Sequence, residues 1–403
     1  MKILVTGAKG FIGKNLIVSL KRRDDVDVIE YDLDSPAGLL EEGLAKADVI
    51  YHLAGVNRPE RVEEFTEGNF DLTRQVCDAL RQLGRMPLLV LSSSTKAALD
   101  NLYGLSKRQA EEAVFDFGRE TGASVFVFSL HSVFGKWCRP NYNSVVATFC
   151  HNIARDLPVA ISDPTREIEL VYVDDVVRAF ISEIGDRMSE IKGKGEESRG
   201  QRTETGEQKS RGAYREVELV FRVRLGELAD TIRAFRESRT TLYVSDFSDP
   251  FVRRLYATYV SYLPVDSFAY ALTQRSDPRG ELAELLKSPR IGQIFVSRTR
   301  PGFTRGNHYH DTKAEKFVVM EGDAMIRFRH IRPDVNDQRT EVGEQRSDVI
   351  EYPVSGREFR VVDIPPGYTH SIENVGQNDL IVLFWAAEIL NPEKPDTYFE
   401  EVV

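Results

Sequence analysis

The sequence is poor in cysteine, with only Cys77, Cys138 and Cys150 in 403 residues. An odd number without metal-ligand spacing excludes a disulfide framework and fits buried thiols in a reducing compartment. Long hydrophobic runs are missing as well. No apolar stretch approaches the run of about 20 residues needed to cross a bilayer, so membrane insertion is not expected. The opening MKILVTGAKG has none of the successive charged, apolar and small-residue regions of a secretion signal, which points to a cytoplasmic protein. Positive charge is in deficit, with 53 Lys and Arg against 63 Asp and Glu and a formal net charge of −10. Such a chain repels phosphate at long range, which excludes non-specific nucleic-acid binding. Any anionic ligand must then meet local cations.

A chain of 403 residues exceeds what one hydrophobic core usually spans, and two textures follow one another along it. Over residues 1–130, β-branched runs at 3–6, 26–31, 49–53, 88–92 and 124–130 read as strands. Stretches with helical spacing at 11–21, 64–83 and 103–120 lie between them. This βαβ rhythm predicts a Rossmann-type, doubly wound parallel sheet covered on both faces. From about 268 onward, β-like runs at 293–297, 316–320, 325–328, 359–362 and 380–385 are separated by Gly, Pro and Asp turns, predicting an all-β barrel. The expected domains are 1–263 and 268–403, with the seam near 263–266. Two charged stretches, 193–212 and 332–347, read as solvated surface insertions. They hold nearly the same decapeptide, QRTETGEQKS at 201–210 and QRTEVGEQRS at 338–347.

The run TGAKGFIG puts Gly7, Gly10 and Gly13 directly after a strand and at the start of a helix, the context a dinucleotide fingerprint requires. Gly7 permits the tight turn, Gly10 lets backbone approach a pyrophosphate, and Gly13 lets helix and strand pack closely. Asp32, at the end of the second strand, is placed to accept from adenosine ribose hydroxyls and would disfavour a 2′-phosphate. A plain turn aspartate is the competing reading, since Asp34, Ser35 and Pro36 follow.

Tyr103 and Lys107 are four apart at the start of a helix, so their side chains share one face. An ammonium beside a phenol favours phenolate, which would lower the tyrosine pKa and let it exchange a proton with a carbonyl near neutral pH. Ser92, Ser93 and Ser94 end the fourth strand at the edge where ligands of open α/β sheets gather, and Ser94 is the candidate donor to a substrate carbonyl.

In the C-terminal half, Gly302, His308, His310, Glu315 and Gly322 follow G-x5-H-x-H-x4-E-x6-G, and PPGYTHSIEN adds Pro365, Gly367, His370 and Asn374. His308 and His310 alternate onto one face of a strand, and Glu315 and His370 can complete a three-nitrogen, one-carboxylate site for a divalent ion. Ligand type favours zinc, with iron, manganese and nickel left open. A metal-free barrel with the same polar residues is the other reading. No general base is marked; Lys313, Lys316 and His330 are candidates.

TGAKGFIG, the HLAG of residues 52–55, the SSS of 92–94, YGLSK and VYVDDV resemble the extended short-chain dehydrogenase/reductase family over about 1–186. That resemblance implies Tyr103 as acid/base, Lys107 as its activator and a ribose ligand, and Ser94 as carbonyl polariser. It also implies cofactor contacts at Gly7, Gly10, Phe11, Ile12, Gly13, Asp32 and Ala54. One departure is that Ser129 and Ser132 precede Phe134-Gly135 where the family often carries an Arg-x-x-Asn step. The C-terminal half resembles the cupin superfamily. The fusion of the two, with runs such as GKWCRPNYNSVVATFC, GNHYH and VDIPPGYTHSIEN, resembles the bifunctional capsular polysaccharide synthesis enzymes. That last resemblance implies C3 epimerisation of a UDP-4-keto-6-deoxy-HexNAc by the cupin and C4 reduction by the N-terminal domain. The product would be UDP-2-acetamido-2,6-dideoxy-L-talose, on the way to UDP-N-acetyl-L-fucosamine. It further implies a homodimer and favours NADP(H) over NAD(H), a preference that Asp32 opposes. Two alternatives stay open: a reductase whose cupin only dimerises, and a regulator that binds cofactor without turnover.

Overall fold

The computed structural model describes residues 1–196, 212–331 and 349–403. The chain divides into two compact units, 1–233 with 253–264 and 234–252 with 265–403. One change of unit comes at Pro264/Val265. The second unit also takes 234–252, which local pattern assigns to the first domain.

In the first unit, strands β1 (Lys2–Thr6), β2 (Asp27–Tyr31), β3 (Val49–His52), β4 (Leu88–Ser94) and β5 (Val125–Leu130) form a parallel sheet in the order β2-β1-β3-β4-β5. Later in the chain, β6 (Ser132–Phe134), β7 (Glu167–Tyr172) and β9 (Phe221–Arg224) make a separate small sheet, while β8 (Gly212–Arg215) extends the large one beyond β5. The helices are α1 (Phe11–Leu20), α2 (Leu39–Lys46), α3 (Leu72–Gln82), α4 (Leu102–Thr121), α5 (Val145–Ile153), α6 (Val173–Glu196), α7 (Leu225–Thr241) and α8 (Pro250–Val260).

Successive residues of each strand point to opposite faces, so an apolar run is buried on both sides only if helices cover both. The packing shows that division. Ile3, Val5, Val49, Tyr51, Leu88 and Val90 pack with Leu16, Ile17, Val176 and Phe180 of α1 and α6. The alternate residues Leu4, Ile50, Leu89, Leu91, Val125 and Val127 pack with Leu44, Val76, Leu80, Val114 and Phe117 of α2, α3 and α4. Each fully buried side chain of this size contributes about 1.5–3 kcal/mol. The fold is the expected doubly wound, Rossmann-type α/β unit.

The named strands of the second unit all pair antiparallel, beside one isolated parallel bridge between Tyr243 and Lys287. One sheet, ordered β10-β11-β12-β19-β14-β17, comprises β10 (Gln274–Asp277), β11 (Gly280–Ser288), β12 (Gly292–Thr299), β14 (Glu315–Glu321), β17 (Val361–Ile364) and β19 (Leu380–Ala386). The other, ordered β16-β15-β18-β13-β20, comprises β13 (Thr304–Tyr309), β15 (Asp323–His330), β16 (Ile350–Ser355), β18 (Tyr368–Asn374) and β20 (Tyr398–Phe399). Phe317, Val319, Val382 and Phe384 of the first sheet share a core with Ile326, Phe328 and Ile372 of the second, the cupin-like arrangement.

Some details depart from the local patterns. The helix expected over 64–83 begins with a π-helical stretch, Thr66–Asp71, before α3. The wide turn leaves the Asn69 amide buried, bonded to both backbone groups of Val56. The strand expected over 359–362 lies at Val361–Ile364, with Phe359 78% exposed. α7 carries too many charges for its apolar stripe to stand out. The polar stretch expected over 193–212 is helical as far as Glu196 and reaches β8 at Gly212. Both decapeptides, 201–210 and 338–347, lie outside the described residues. Among the described residues no helix is long and apolar enough to cross a membrane. The three cysteines are free, with Cys77 and Cys150 buried and Cys138 half-buried.

Candidate functional site

The carboxyl ends of β1, β3 and β4 bring the first set of candidates together. Gly7 turns the chain after β1 with φ +69°, and a Cβ there would stand 2.7 Å from the Ala54 nitrogen. A Cβ on Gly13 would lie 2.2 Å from the Gly7 carbonyl oxygen, so only glycine lets α1 approach the turn this closely. Gly10 is the N-cap of α1 and has no side-chain cap. The free N–H groups of the first turn, at Phe11 and Ile12, are thus open to an anion. This cradle, which any β-carbon would fill, suits a dinucleotide pyrophosphate.

Asp32 follows β2. Its carboxylate accepts from the backbone N–H of Lys9 at 2.7 Å and of Leu33 at 2.9 Å, while the Lys9 ammonium pairs with Asp34. Ala54 donates its N–H to Thr6 Oγ1 at 3.3 Å. A buried chain continues from there through His52, whose Nδ1 lies 2.7 Å from Thr6 Oγ1 and whose Nε2 lies 3.0 Å from Thr73 Oγ1. Thr73 spends its own proton on the Asn69 carbonyl, so His52 donates from Nε2 and accepts at Nδ1. Burial, helped by the nearby Lys107 charge, pushes His52 down to about 4 and keeps it neutral. It is a structural link under the cofactor cradle.

Tyr103 and Lys107 lie in the first two turns of α4, which Asn101 caps by accepting from the Gly104 N–H at 2.8 Å. The Tyr103 hydroxyl donates to Asn57 Oδ1 at 3.2 Å, and Ser94 also bonds it. Lys107 is 9% exposed, with Nζ 6.0 Å from the centroid of the Tyr103 ring. The lowered tyrosine pKa expected from Lys107 is not what this geometry gives. Burial holds the Tyr103 phenol above its ordinary value, with the Ser94 hydroxyl opposing. Burial also pushes Lys107 down to about 8, against the pull of Glu111. A phenol that keeps its proton at neutral pH is the form that donates one.

Glu111, one turn beyond Lys107, is 6% exposed and accepts from the Ser93 hydroxyl and from the Tyr214 hydroxyl, the latter at 2.8 Å. Neither Glu111 nor Tyr214 was singled out from sequence. The Tyr-x3-Lys-x3-Glu spacing could have marked Glu111; Tyr214 reaches it only because β8 joins the sheet beside β5. Asn57 likewise carries no local signal.

In the second unit, His308 lies on β13, His310 follows it, Glu315 opens β14 and His370 sits on β18 opposite His308. Four ligand atoms, one from each, lie within 4.8 Å of one another. His310 and His370 are each 1% exposed, and their Nε2 atoms have no hydrogen-bond partner among the described residues. Those atoms stand 3.5 and 3.8 Å from the Glu315 carboxylate, beyond good hydrogen bonds. Buried imidazole nitrogens left without partners around a carboxylate are costly unless an ion binds them, so the donor set fits a divalent metal. His310 Nδ1 is engaged by the Asp396 carbonyl at 2.5 Å, which leaves Nε2 to face the cluster.

The Asp396 carboxylate accepts from the N–H groups of Asp311, Thr312 and Lys313, tying down the turn between the ligand strands. Of the three candidate bases, Lys313 is brought to the cluster, with Nζ 3.4 Å from Glu315 Oε1 and 3.2 Å from Thr397 Oγ1. Lys316 instead pairs with Asp363, and His330 packs edge-on against Tyr368.

Fold and site together define a nicotinamide-type oxidoreductase/epimerase unit joined to a cupin-like unit with a cluster of three histidines and a glutamate that could hold a metal ion. The model of the NAD dependent epimerase/dehydratase family matches residues 3–186, and that of the polysaccharide biosynthesis C-terminal domain matches 275–398. The chain is 42% identical, over 99% of its length and 98% of the relative's, to UDP-2-acetamido-2,6-beta-L-arabino-hexul-4-ose reductase of Pseudomonas aeruginosa. The crystal structure of the capsular polysaccharide assembling protein CapF from Staphylococcus aureus matches with a TM-score of 0.85 at 42% identity, covering both chains fully. UDP-glucuronic acid 4-epimerase of Bacillus cereus shares only the fold, with a TM-score of 0.50 and 15% identity over 65% of this chain and 99% of that one. The protein belongs to the CapF family of nucleotide-sugar reductases of capsular polysaccharide biosynthesis.

Proposed function

We propose that the second unit epimerises C3 of a UDP-4-keto-6-deoxy-HexNAc and the first then reduces C4, giving UDP-2-acetamido-2,6-dideoxy-L-talose on the way to UDP-N-acetyl-L-fucosamine. The observation that carries this reading is the meeting of Tyr103, Ser94 and buried Lys107 at the strand ends, in a chain alike along its whole length to a 4-ulose reductase.

NADPH supplies the hydride. The turn of Gly7, Gly10 and Gly13 and the amides of Phe11 and Ile12 receive its pyrophosphate, beside Ala54. Asp32 is already engaged by two amides, and Lys9 can exchange Asp34 for a 2′-phosphate, which supports NADPH over NADH. Ser94 donates to the C4 carbonyl oxygen and Tyr103 delivers the proton there. The Lys107 ammonium then stabilises the phenolate left behind and binds ribose.

In the cupin, His308, His310, Glu315 and His370 hold a divalent ion, zinc by donor type. Bound there, the ion supplies Lewis-acid stabilisation of negative charge on the substrate. Lys313, in its neutral amine form, is the candidate that takes the C3 proton, and a proton returned to the opposite face of C3 completes the inversion. The protein works as a cytoplasmic homodimer.

Incubation with the UDP-4-keto-6-deoxy-HexNAc in D2O, followed by NMR before and after NADPH, tests the reading. Deuterium at C3 without cofactor, then NADPH oxidation and a deoxytalose product, is expected. Oxidation without C3 exchange would reduce the cupin to a structural part, and NADPH binding without either reaction would refute both activities.

A further inference from the structure

The chain carries a formal charge of −10, so a doubly charged diphosphate needs cations placed for it. The cofactor's pyrophosphate has the α1 N-terminus. The substrate's diphosphate has no recipient among the residues discussed so far. Beside the reduction site, however, two guanidinium groups gather on one aromatic ring. The Cζ of Arg58 lies 5.8 Å, and that of Arg139 5.0 Å, from the centroid of Tyr142.

Other cations of these segments are spent. Lys136 pairs with Asp174 at 2.6 Å, Arg61 with Glu64 and Glu67, and Arg155 donates to the carbonyls of His151 and Tyr262. Arg58 and Arg139 have no carboxylate partner among the described residues. Two like charges held against one ring repel each other, and an anion between them removes that cost.

Both segments are held in place. Arg58 follows Asn57, which accepts from the Tyr103 hydroxyl, and Val56, which the Asn69 amide grips on both backbone groups. The Tyr142 hydroxyl donates to the Arg58 carbonyl at 3.5 Å. Arg139 lies between Trp137 and Asn141, non-glycine residues with φ +68° and +53°. Strain of this kind persists where surrounding structure overdetermines it, commonly at ligand clamps. Here the Tyr262 hydroxyl donates to the Cys138 carbonyl at 2.5 Å, and the Asn141 N–H donates to Thr148 Oγ1 at 3.0 Å.

From this arrangement we infer that Arg58 and Arg139, spaced by Tyr142, bind the diphosphate of the nucleotide-sugar substrate of the reductase. The inference rests on the nucleotide-sugar reading above. Guanidinium forks match phosphate oxygens in pairs, and the shared ring keeps both forks oriented before the ligand arrives.

Calorimetric titration of the full-length, NADPH-loaded protein with UDP tests this, comparing wild type with Arg58→Gln, Arg139→Gln and Arg139→Lys. Each Gln change should weaken UDP binding and raise the KM for the 4-keto substrate about tenfold, with kcat within about threefold and NADPH affinity unchanged. Arg139→Lys should recover part of the loss, since charge returns without the fork. The unchanged NADPH affinity serves as the check on folding. Wild-type UDP binding that neither Gln variant alters overturns the inference and leaves the proposed function standing. Equal weakening of NADPH overturns it too, by assigning the arginines to the cofactor. A wild type that binds NADPH but not UDP removes the nucleotide-sugar reading along with it.

Discussion

Lys107 should cost the fold stability, and its removal together with its counter-charge should return it. The ammonium is 9% exposed, and burial pushes its pKa from 10.5 down to about 8, even with Glu111 opposing the shift. A displacement of that size corresponds to about 3 kcal/mol of penalty on the charged folded form. Because the folded pKa lies below the unfolded one, the unfolded chain binds more protons between about pH 8 and 10.5. Stability from this group is therefore complete above about 10.5 and is lost as pH falls towards about 8. Lys107→Met alone would strand the Glu111 charge, so the informative change is Lys107→Met with Glu111→Gln, which can keep bonds to Ser93 and Tyr214. At pH 7 the double variant should be about 2–3 kcal/mol more stable than wild type by urea unfolding followed by circular dichroism, and it should not reduce the keto sugar. The advantage should shrink as pH rises through 8 and vanish above about 10.5. A double variant at least about 1 kcal/mol less stable at pH 7, or an advantage independent of pH, would refute the reasoning.

Other expectations follow from single contacts. Tyr103→Phe should lower NADPH-dependent reduction about a hundred- to ten-thousandfold while leaving C3 deuterium exchange intact, read in the same NMR experiment. Gly13→Ala places a Cβ 2.2 Å from the Gly7 oxygen and 2.9 Å from the Ala8 oxygen, so thermal unfolding should show a loss of about 1–3 kcal/mol and cofactor titration a clear loss of affinity. His310→Ala or His370→Ala should abolish metal retention measured by elemental analysis, and full retention in both would remove the cluster as the metal site. Burial alone would raise the Asp396 carboxyl, but the N–H groups of Asp311, Thr312 and Lys313 with the Thr312 hydroxyl hold it well below its usual 3.8. Its stabilising effect is therefore present above pH 3.8 and lost below it. Asp396→Asn should cost about 1–3 kcal/mol at pH 7 and flatten acid unfolding.

What local sequence determined is what local physics controls. The strands at 3–6, 49–53 and 88–92 were legible because a doubly covered sheet demands apolar residues at successive positions. The glycines of TGAKGFIG were legible because one turn forbids β-carbons at fixed spacing. Tyr103 and Lys107, four apart, share a helix face by geometry, and His308 and His310 share a strand face for the same reason. Only the tertiary structure decided the rest. It raised the Tyr103 pKa where its neighbour in sequence suggested lowering, because burial depends on what packs over the phenol. It supplied Asn57 to Tyr103 and Tyr214 to Glu111 from segments 46 and 103 residues away. It brought Lys313, and not Lys316 or His330, beside Glu315, and set the Asp396 carboxylate under the turn at residues 311–313. Contacts of that kind arise when distant segments meet in the folded chain, and they leave no period, spacing or composition along it that could have shown them.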